Sequence, residues 1–251
     1  MTDLTGKTAI VTGSARGIGK AIALRYASLG ANVVVNYVSD PTVAEATVAD
    51  VKKFGVEAIA VRADVSALAD IGWMFSEAVA RFSSIDIVVV NAGVEAVGIP
   101  LIDVTEAQFD HLNAINTKGA FFTLQAAARH VVDGGRIIYL GSTTSELPVM
   151  GLALYGSSKI GPRYVAQVLA QELAHRGVTV NAILPTAIEA AGIFTDYNPD
   201  DPYRKMVAGG NRIGSRMGTV NDVADAAEYF VSGLAAWVSG QTLVISGGEQ
   251  Q

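Results

Sequence analysis

The chain has 251 residues, a formal net charge of -6, no cysteine and three histidines. This length suits one α/β domain, while the missing cysteines exclude disulfide and thiol chemistry and the scattered histidines offer no nitrogen-rich metal site. The acidic balance provides no basic face for nucleic acid, no apolar run is long enough to span a bilayer, and the start MTDLTGKTAIVTG lacks a secretory pattern, so a cytoplasmic protein without nucleic-acid or membrane partners is expected.

Thr8 to Thr12 is a β-branched run that predicts a strand, and Gly13-Ser14-Ala15-Arg16-Gly17-Ile18-Gly19 follows at once. An apolar-periodic helix stopped by Gly30 and a second strand from Ala31 to Asn36 complete a βαβ unit, the context that a nucleotide-binding glycine turn needs. The first glycine permits the tight turn, and the later ones let backbone approach a pyrophosphate at the positive end of the helix. The spacing Gly-x-x-x-Gly-x-Gly is one residue wider than the usual dinucleotide fingerprint, and it lacks the Gly-Lys-Ser/Thr of a triphosphate loop.

At the end of the second strand an acid normally takes the adenosine ribose 2′-hydroxyl, but here the run is Asn36-Tyr37-Val38-Ser39-Asp40. A carboxylate would repel a 2′-phosphate, whereas Asn36 and Ser39 could donate to one and Arg16 could add charge from the glycine loop. NADP(H) is therefore expected as cofactor ahead of NAD(H). Asp40 is the competing feature, since a small change of register would return an acid to the ribose.

A helix over 42–54 leads to a strand from Ala58 to Arg62 that ends at Asp64-Val65. Asp64 reads equally as a ligand of the adenine amino group and as a helix cap. A helix over 67–82 precedes a strand from Ile85 to Val90, which ends at Asn91-Ala92-Gly93. Then come a helical stretch over 106–132, a strand from Arg136 to Leu140, a helix over 156–175 and a strand from Val178 to Leu184. After a long polar segment, a helix over 221–231 and a strand from Gln241 to Ile245 close the chain.

Alternation of helices with continuous Val/Ile strands predicts an α/β fold, a doubly wound parallel sheet of seven strands covered on both faces. No linker splits the chain, so 1–251 reads as a single Rossmann nucleotide-binding domain. The stretch 186–219 is long for a connection and reads as a substrate lid.

Tyr155 and Lys159 are four residues apart, so they share a face of the predicted helix. Alone, the pair is as well explained by a packed tyrosine and a solvated lysine. It stands, however, at the end of an ordered series: the glycine loop, Asp64-Val65, Asn91-Ala92-Gly93, Asn116 in NTKG, Ser142, and Tyr155-Gly-Ser-Ser-Lys159. With that series the chain resembles the short-chain dehydrogenase/reductase family over almost its whole length.

The resemblance implies that Tyr155 is the acid in carbonyl reduction and the base in alcohol oxidation, and that Ser142 polarises the carbonyl. It implies that Lys159 binds the nicotinamide ribose and lowers the Tyr155 pKa, and that Asn116 interrupts a helix and positions a water of a proton relay. Gly13, Ser14, Arg16, Gly17, Ile18, Gly19, Asn36, Tyr37, Ser39, Asp64, Val65, Asn91, Ala92 and Gly93 would line the nucleotide with Tyr155 and Lys159. Pro185 and Ile188 would meet the carboxamide. No metal is implied. This chain departs from the family after the sixth strand, where Thr186 replaces the usual glycine and Glu189 lies in the stretch that commonly carries a threonine. Glu189 is expected to turn to solvent or to an arginine such as Arg212.

The nearest branches it resembles are polyketide-type reductases, such as those of hydroxynaphthalenes, and 3-oxoacyl-carrier-protein reductases. An acidic carrier protein calls for a basic pocket mouth, and Arg129 with Asp133 and Glu172 weakens that alternative. Glu95 to Ile99, Thr143 to Leu154 and the lid, with Met150 and Met206, would form a mostly apolar pocket for a small ketone or secondary alcohol. The family implies a homotetramer, built on the helices over 106–132 and 156–175 and on the segment from Trp237 to Gln251. A non-catalytic NADP-binding regulator or scaffold is the remaining alternative.

Overall fold

Seven parallel strands in the order β3-β2-β1-β4-β5-β6-β7 form the centre of the computed structural model, which describes residues 2–195, 198, 200, 202–209 and 212–248. They are β1 (Thr8–Val11), β2 (Asn32–Tyr37), β3 (Ala58–Arg62), β4 (Ile85–Val90), β5 (Val131–Leu140), β6 (Thr179–Pro185) and β7 (Thr242–Ile245). Every residue of β4 and β6 is buried, as expected where helices cover both faces of a parallel sheet. The Met206 side chain of the expected pocket, lid residues 196–197, 199, 201 and 210–211, and residues 249–251 lie outside the described part.

Alternate residues along each strand feed opposite layers. On one side Ile10, Val34, Val88, Ile137 and Val180 pack with α3 (Leu68–Phe82), α5 (Ala120–His130) and α6 (Ala153–Glu172). On the other, Ala9, Val11, Val89, Ile138 and Ile183 meet α1 (Gly17–Ser28) and α8 (Val220–Val231). Burying each large aliphatic side chain contributes about 2 kcal/mol. In α3 the buried Ile71, Met74, Phe75 and Ala78 recur at helical spacing, which turns one stripe to the sheet. Helix α2 (Pro41–Lys52) covers the edge near β2 and β3.

The predicted helix over 106–132 is not continuous. It consists of α4 (Glu106–Asn113), a π-helical turn (Ala114–Gly119) and α5. Two long-range demands fall on the turn: Asn116 bonds across to Val94, and a Cβ at Gly119 would lie 2.9 Å from the Val65 carbonyl oxygen. Val131, expected at the helix end, already pairs with Ile85 in the sheet, and a register shift between Ile85 and Ile87 absorbs the following residues up to Arg136. The lid contains a short α7 (Pro202–Ala208), which its polar sequence did not signal.

Strand order reverses between β1 and β4, and the glycine turn after β1 opens there, where ligands of such sheets bind. A Cβ on Gly19 would lie 2.5 Å from the Gly13 carbonyl oxygen and 2.9 Å from the Ser14 Cα. Both are backbone atoms that cannot step aside, so Gly19→Ala is expected to destabilise the fold by about 2 kcal/mol. A thermal melt checks this; an unchanged melting temperature would show that the loop is looser than the packing implies.

Candidate active site

The glycine loop rests on side chains that face inward. Ser14 Oγ donates to the Val11 carbonyl at 2.6 Å and accepts the Asn36 N–H at 3.1 Å. Asn36 Oδ1 accepts the Gly13 N–H at 2.9 Å, and its Nδ2 donates to the Val61 and Ala63 carbonyls at 3.3 and 3.0 Å. Asn36 is 1% exposed, so its amide has no hydrogen left for a 2′-phosphate. The phosphate-donor role read for the Asn36 side chain is corrected accordingly: it braces the loop from beneath together with Ser14, because buried backbone groups at the strand ends need partners, while Asn36 still borders the cavity. Thr12, which the sequence reading passed over, accepts the N–H groups of Asn91 and Ala92, each at 2.9 Å. Asn91 Nδ2 returns a bond to the Thr12 carbonyl at 2.8 Å, which leaves the Ala92-Gly93 backbone along the opening.

That opening is a cavity of about 920 Å³ bordered by Gly13, Arg16, Gly17, Ile18, Gly19, Tyr37, Ser39, Asp64, Val65, Ala92, Gly93, Tyr155, Lys159 and Pro185. At one end Asp40 accepts the Thr42 N–H at 2.8 Å through one carboxylate oxygen as the cap of α2, and the residue still borders the cavity. Asp64 accepts the Ser66 N–H at 2.9 Å. This closes a turn and is not the helix cap that was the alternative reading, since the N-cap of α3 is Ala67 with no side-chain cap bond; the residue still borders the cavity. Arg62, not singled out from the sequence, donates from Nε to the Val38 carbonyl at 3.0 Å. Its guanidinium and that of Arg16 have no ion-pair partner among the described residues. Arg16 and Ser39 border the cavity, and Arg62 stands beside the cavity residue Tyr37 in the register of β2 and β3; cations and hydroxyls are the donors a phosphate monoester takes.

At the other end stand Ser142, Tyr155 and Lys159, buried to 8%, 9% and 4% exposure. Ser142 Oγ accepts the Thr144 N–H at 3.3 Å and the Thr144 hydroxyl at 2.9 Å, so Thr144 orients it. The Lys159 ammonium lies 5.6 Å from the Tyr155 ring centroid and against Gly93, where an added Cβ would come within 2.8 Å. It has no hydrogen-bond partner among the described residues. Burial brings Lys159 down to about 8, opposed by the negative charge of Glu95.

The expectation that Lys159 lowers the Tyr155 pKa is not met in this protein. Burial raises it above the ordinary tyrosine value, Glu95 adds to the rise, and a hydrogen bond with Ser142 works the other way. Asn116 does break the helix as expected, but its side chain acts as a clamp. Oδ1 accepts the Val94 N–H at 2.9 Å, and Nδ2 donates to the Val94 carbonyl at 2.8 Å and to Ser158 Oγ at 3.1 Å. With both amide hydrogens used, it has none to offer a water.

Pro185 ends β6, and the lid base is pinned by a bridge between Ile188 and Gly218. Its bonds run from the Gly218 N–H to the Ala187 carbonyl at 3.2 Å and from the Glu189 N–H to the Gly218 carbonyl at 2.8 Å. The Ile188 side chain is buried in the core, so only its backbone can serve a ligand. Glu189 pairs with Arg204; Arg212, the partner expected, donates instead to the Val207 carbonyl. No cluster of potential metal ligands occurs among the described residues.

This arrangement can bind a dinucleotide along the sheet edge and hold a proton donor beside its far end. A family model described as Enoyl-(Acyl carrier protein) reductase matches residues 13–250. A short chain dehydrogenase/reductase, dmxR18, of Cryptosporiopsis sp. is 37% identical over 260 residues, covering 98% of this chain and 96% of its own. Elsinochrome reductase 1 of Elsinoe fawcettii is 37% identical over 257 residues, 97% of this chain and 94% of its own. Among solved structures, a short chain dehydrogenase of Burkholderia cenocepacia in complex with NADP superposes with a TM-score of 0.89 at 34% identity, covering 98% of each chain.

Proposed function

Because the chain belongs to the short-chain dehydrogenase/reductase family, and so is an NAD(P)-dependent oxidoreductase, we propose that it reduces a ketone to a secondary alcohol with NADPH. The observation that carries this reading is the buried Ser142–Tyr155–Lys159 group, whose ammonium has no hydrogen-bond partner among the described residues and borders the cavity. Bound nicotinamide supplies the hydride. Negative charge then develops on the carbonyl oxygen. The Ser142 hydroxyl donates to that oxygen and the Tyr155 hydroxyl transfers its proton there, so a neutral alcohol leaves. A phenol whose pKa is raised by burial is protonated at neutral pH, which suits the reducing direction. Lys159 would bind a ribose hydroxyl, and the glycine loop would receive the pyrophosphate on backbone N–H groups.

NADP in the Burkholderia relative and the Arg16–Ser39–Arg62 donor set support NADPH over NADH. Arg62→Ala is expected to weaken NADPH binding by about tenfold and to leave NADH unchanged, as read by nucleotide fluorescence titration. An equal effect on both nucleotides would remove Arg62 from the phosphate site.

The substrate reading is a polyketide-type or other uncharged ketone, supported by the similarity to a reductase named for elsinochrome. Phe109, Phe121, Ile160 and Tyr164, exposed along α4, α5 and α6, support a homotetramer. No helix among the described residues is long and apolar enough to cross a membrane, and a cytoplasmic location is part of the proposal. The test is NADPH oxidation, followed at 340 nm, against a panel of ketones and quinones. Tight NADPH binding without turnover on any of them would favour the scaffold reading instead.

A further inference from the structure

An acid from outside the Ser–Tyr–Lys set, Glu95, borders the cavity together with Tyr155 and Lys159. Glu95 lies in the turn after β4, between Val94 and Ala96, which pack against Leu154 and Tyr155. The Asn116 clamp holds Val94 by both its backbone groups, so the neighbouring Glu95 is carried on a fixed base. Its carboxylate borders the same cavity as Tyr155 and Lys159 and crosses to the lid, where it accepts the Ile193 N–H at 2.8 Å.

The lid is shaped to receive it. Gly192 has φ +55, the left-handed region that favours glycine, and a Cβ there would lie 2.4 and 2.5 Å from the two Glu95 oxygens. The carboxylate therefore rests directly on the Gly192 backbone. No cation pairs with Glu95 among the described residues. The other ionisable groups bordering this part of the cavity are Tyr155 and Lys159 on α6 and His111 on α4. Its negative charge raises the pKa of both Tyr155 and Lys159, which places its field at the reacting end.

We propose that Glu95 is a positioning and substrate-selecting residue: bound to the lid at Ile193, its carboxylate closes the cleft beside Tyr155 and favours uncharged carbonyl compounds over those carrying a carboxylate. A fixed like charge is the repulsive element that selectivity of this kind needs. The selection rests on the carbonyl-reductase reading above; the lid contact does not.

Two variants separate bond from charge. Glu95→Gln keeps an oxygen to accept the Ile193 N–H but removes the charge, and Glu95→Ala removes both. Hydrogen exchange of the peptide containing Ile193, with and without NADP, reads the contact. The kcat/KM ratio for ethyl benzoylformate against benzoylformate, both reduced with NADPH, reads the selection. In the wild type the ester is expected to be preferred by about tenfold or more, and in Glu95→Gln the ratio should fall to within about threefold while Ile193 stays protected. Glu95→Ala should lose both the ratio and the protection. An unchanged ratio in Glu95→Gln, or unchanged Ile193 exchange in Glu95→Ala, overturns the proposal. If the wild-type enzyme reduces neither compound, the carbonyl-reductase reading of the site is at fault for these probes, the selection falls with it, and the exchange result still decides the lid contact.

Discussion

Tyr155→Phe is expected to lower kcat for ketone reduction by about a thousandfold, the range for loss of a positioned general acid, with NADPH affinity almost unchanged. The ring is buried and packed with Leu112 and Leu154, and phenylalanine keeps that packing while removing only the hydroxyl. Among the described residues no other group is placed to replace it. Lys159 is held at Gly93 and titrates near 8, and Ser142 is oriented by Thr144 as a hydrogen-bond partner. Single-turnover kinetics should show the loss in the chemical step, and a fluorescence titration should show the nucleotide still bound. A Tyr155→Phe enzyme retaining even a tenth of the wild-type kcat would exclude Tyr155 as the proton donor.

Lys159→Met should abolish turnover to a similar extent and yet stabilise the protein. In the folded state the Lys159 pKa falls from 10.5 to about 8 because the ammonium is buried. The unfolded chain therefore binds more protons between those two values, and stability rises with pH across that window. Below about pH 8 the whole penalty is present, on the order of 3 kcal/mol at 1.36 kcal/mol per pKa unit. Methionine fills a similar volume without charge, so at pH 7 Lys159→Met is expected to melt higher and to lose the rise in stability between pH 8 and 10. A lower melting temperature at pH 7 would mean that the ammonium finds compensation inside the fold. The same buried cation, without a hydrogen-bond partner among the described residues, is the group proposed to hold a ribose hydroxyl, a trade between stability and function found where sites are strained.

Much of this was legible from local pattern. The glycine loop, the strand runs and the spacing of Tyr155 and Lys159 depend on residues near one another in the chain, and periods of 2 and 3.6 express them directly. The readings that changed all concern where a polar side chain points. Asn36 looked free to meet a phosphate, but the N–H of Gly13 and the carbonyls of Val61 and Ala63 converge on it. Asp40 was open to a ribose reading, and one of its oxygens is taken up in capping α2. Asn116 suggested a water site, and its side chain clamps Val94. In each case a buried or terminal backbone group needed a partner, and the strength of that need becomes visible only when the elements meet.

By itself, then, the sequence determined the sheet class and the order along the chain of the residues that border the cavity, because these follow from periodicity and short spacing. The tertiary structure alone decided which side chains are consumed as braces, and that Glu95 meets Ile193 across 98 residues of chain. A contact over that distance leaves no local period. It exists because the fold carries the end of β4 and the lid to the same edge of the sheet, where one carboxylate can satisfy an amide and face the reacting groups at once.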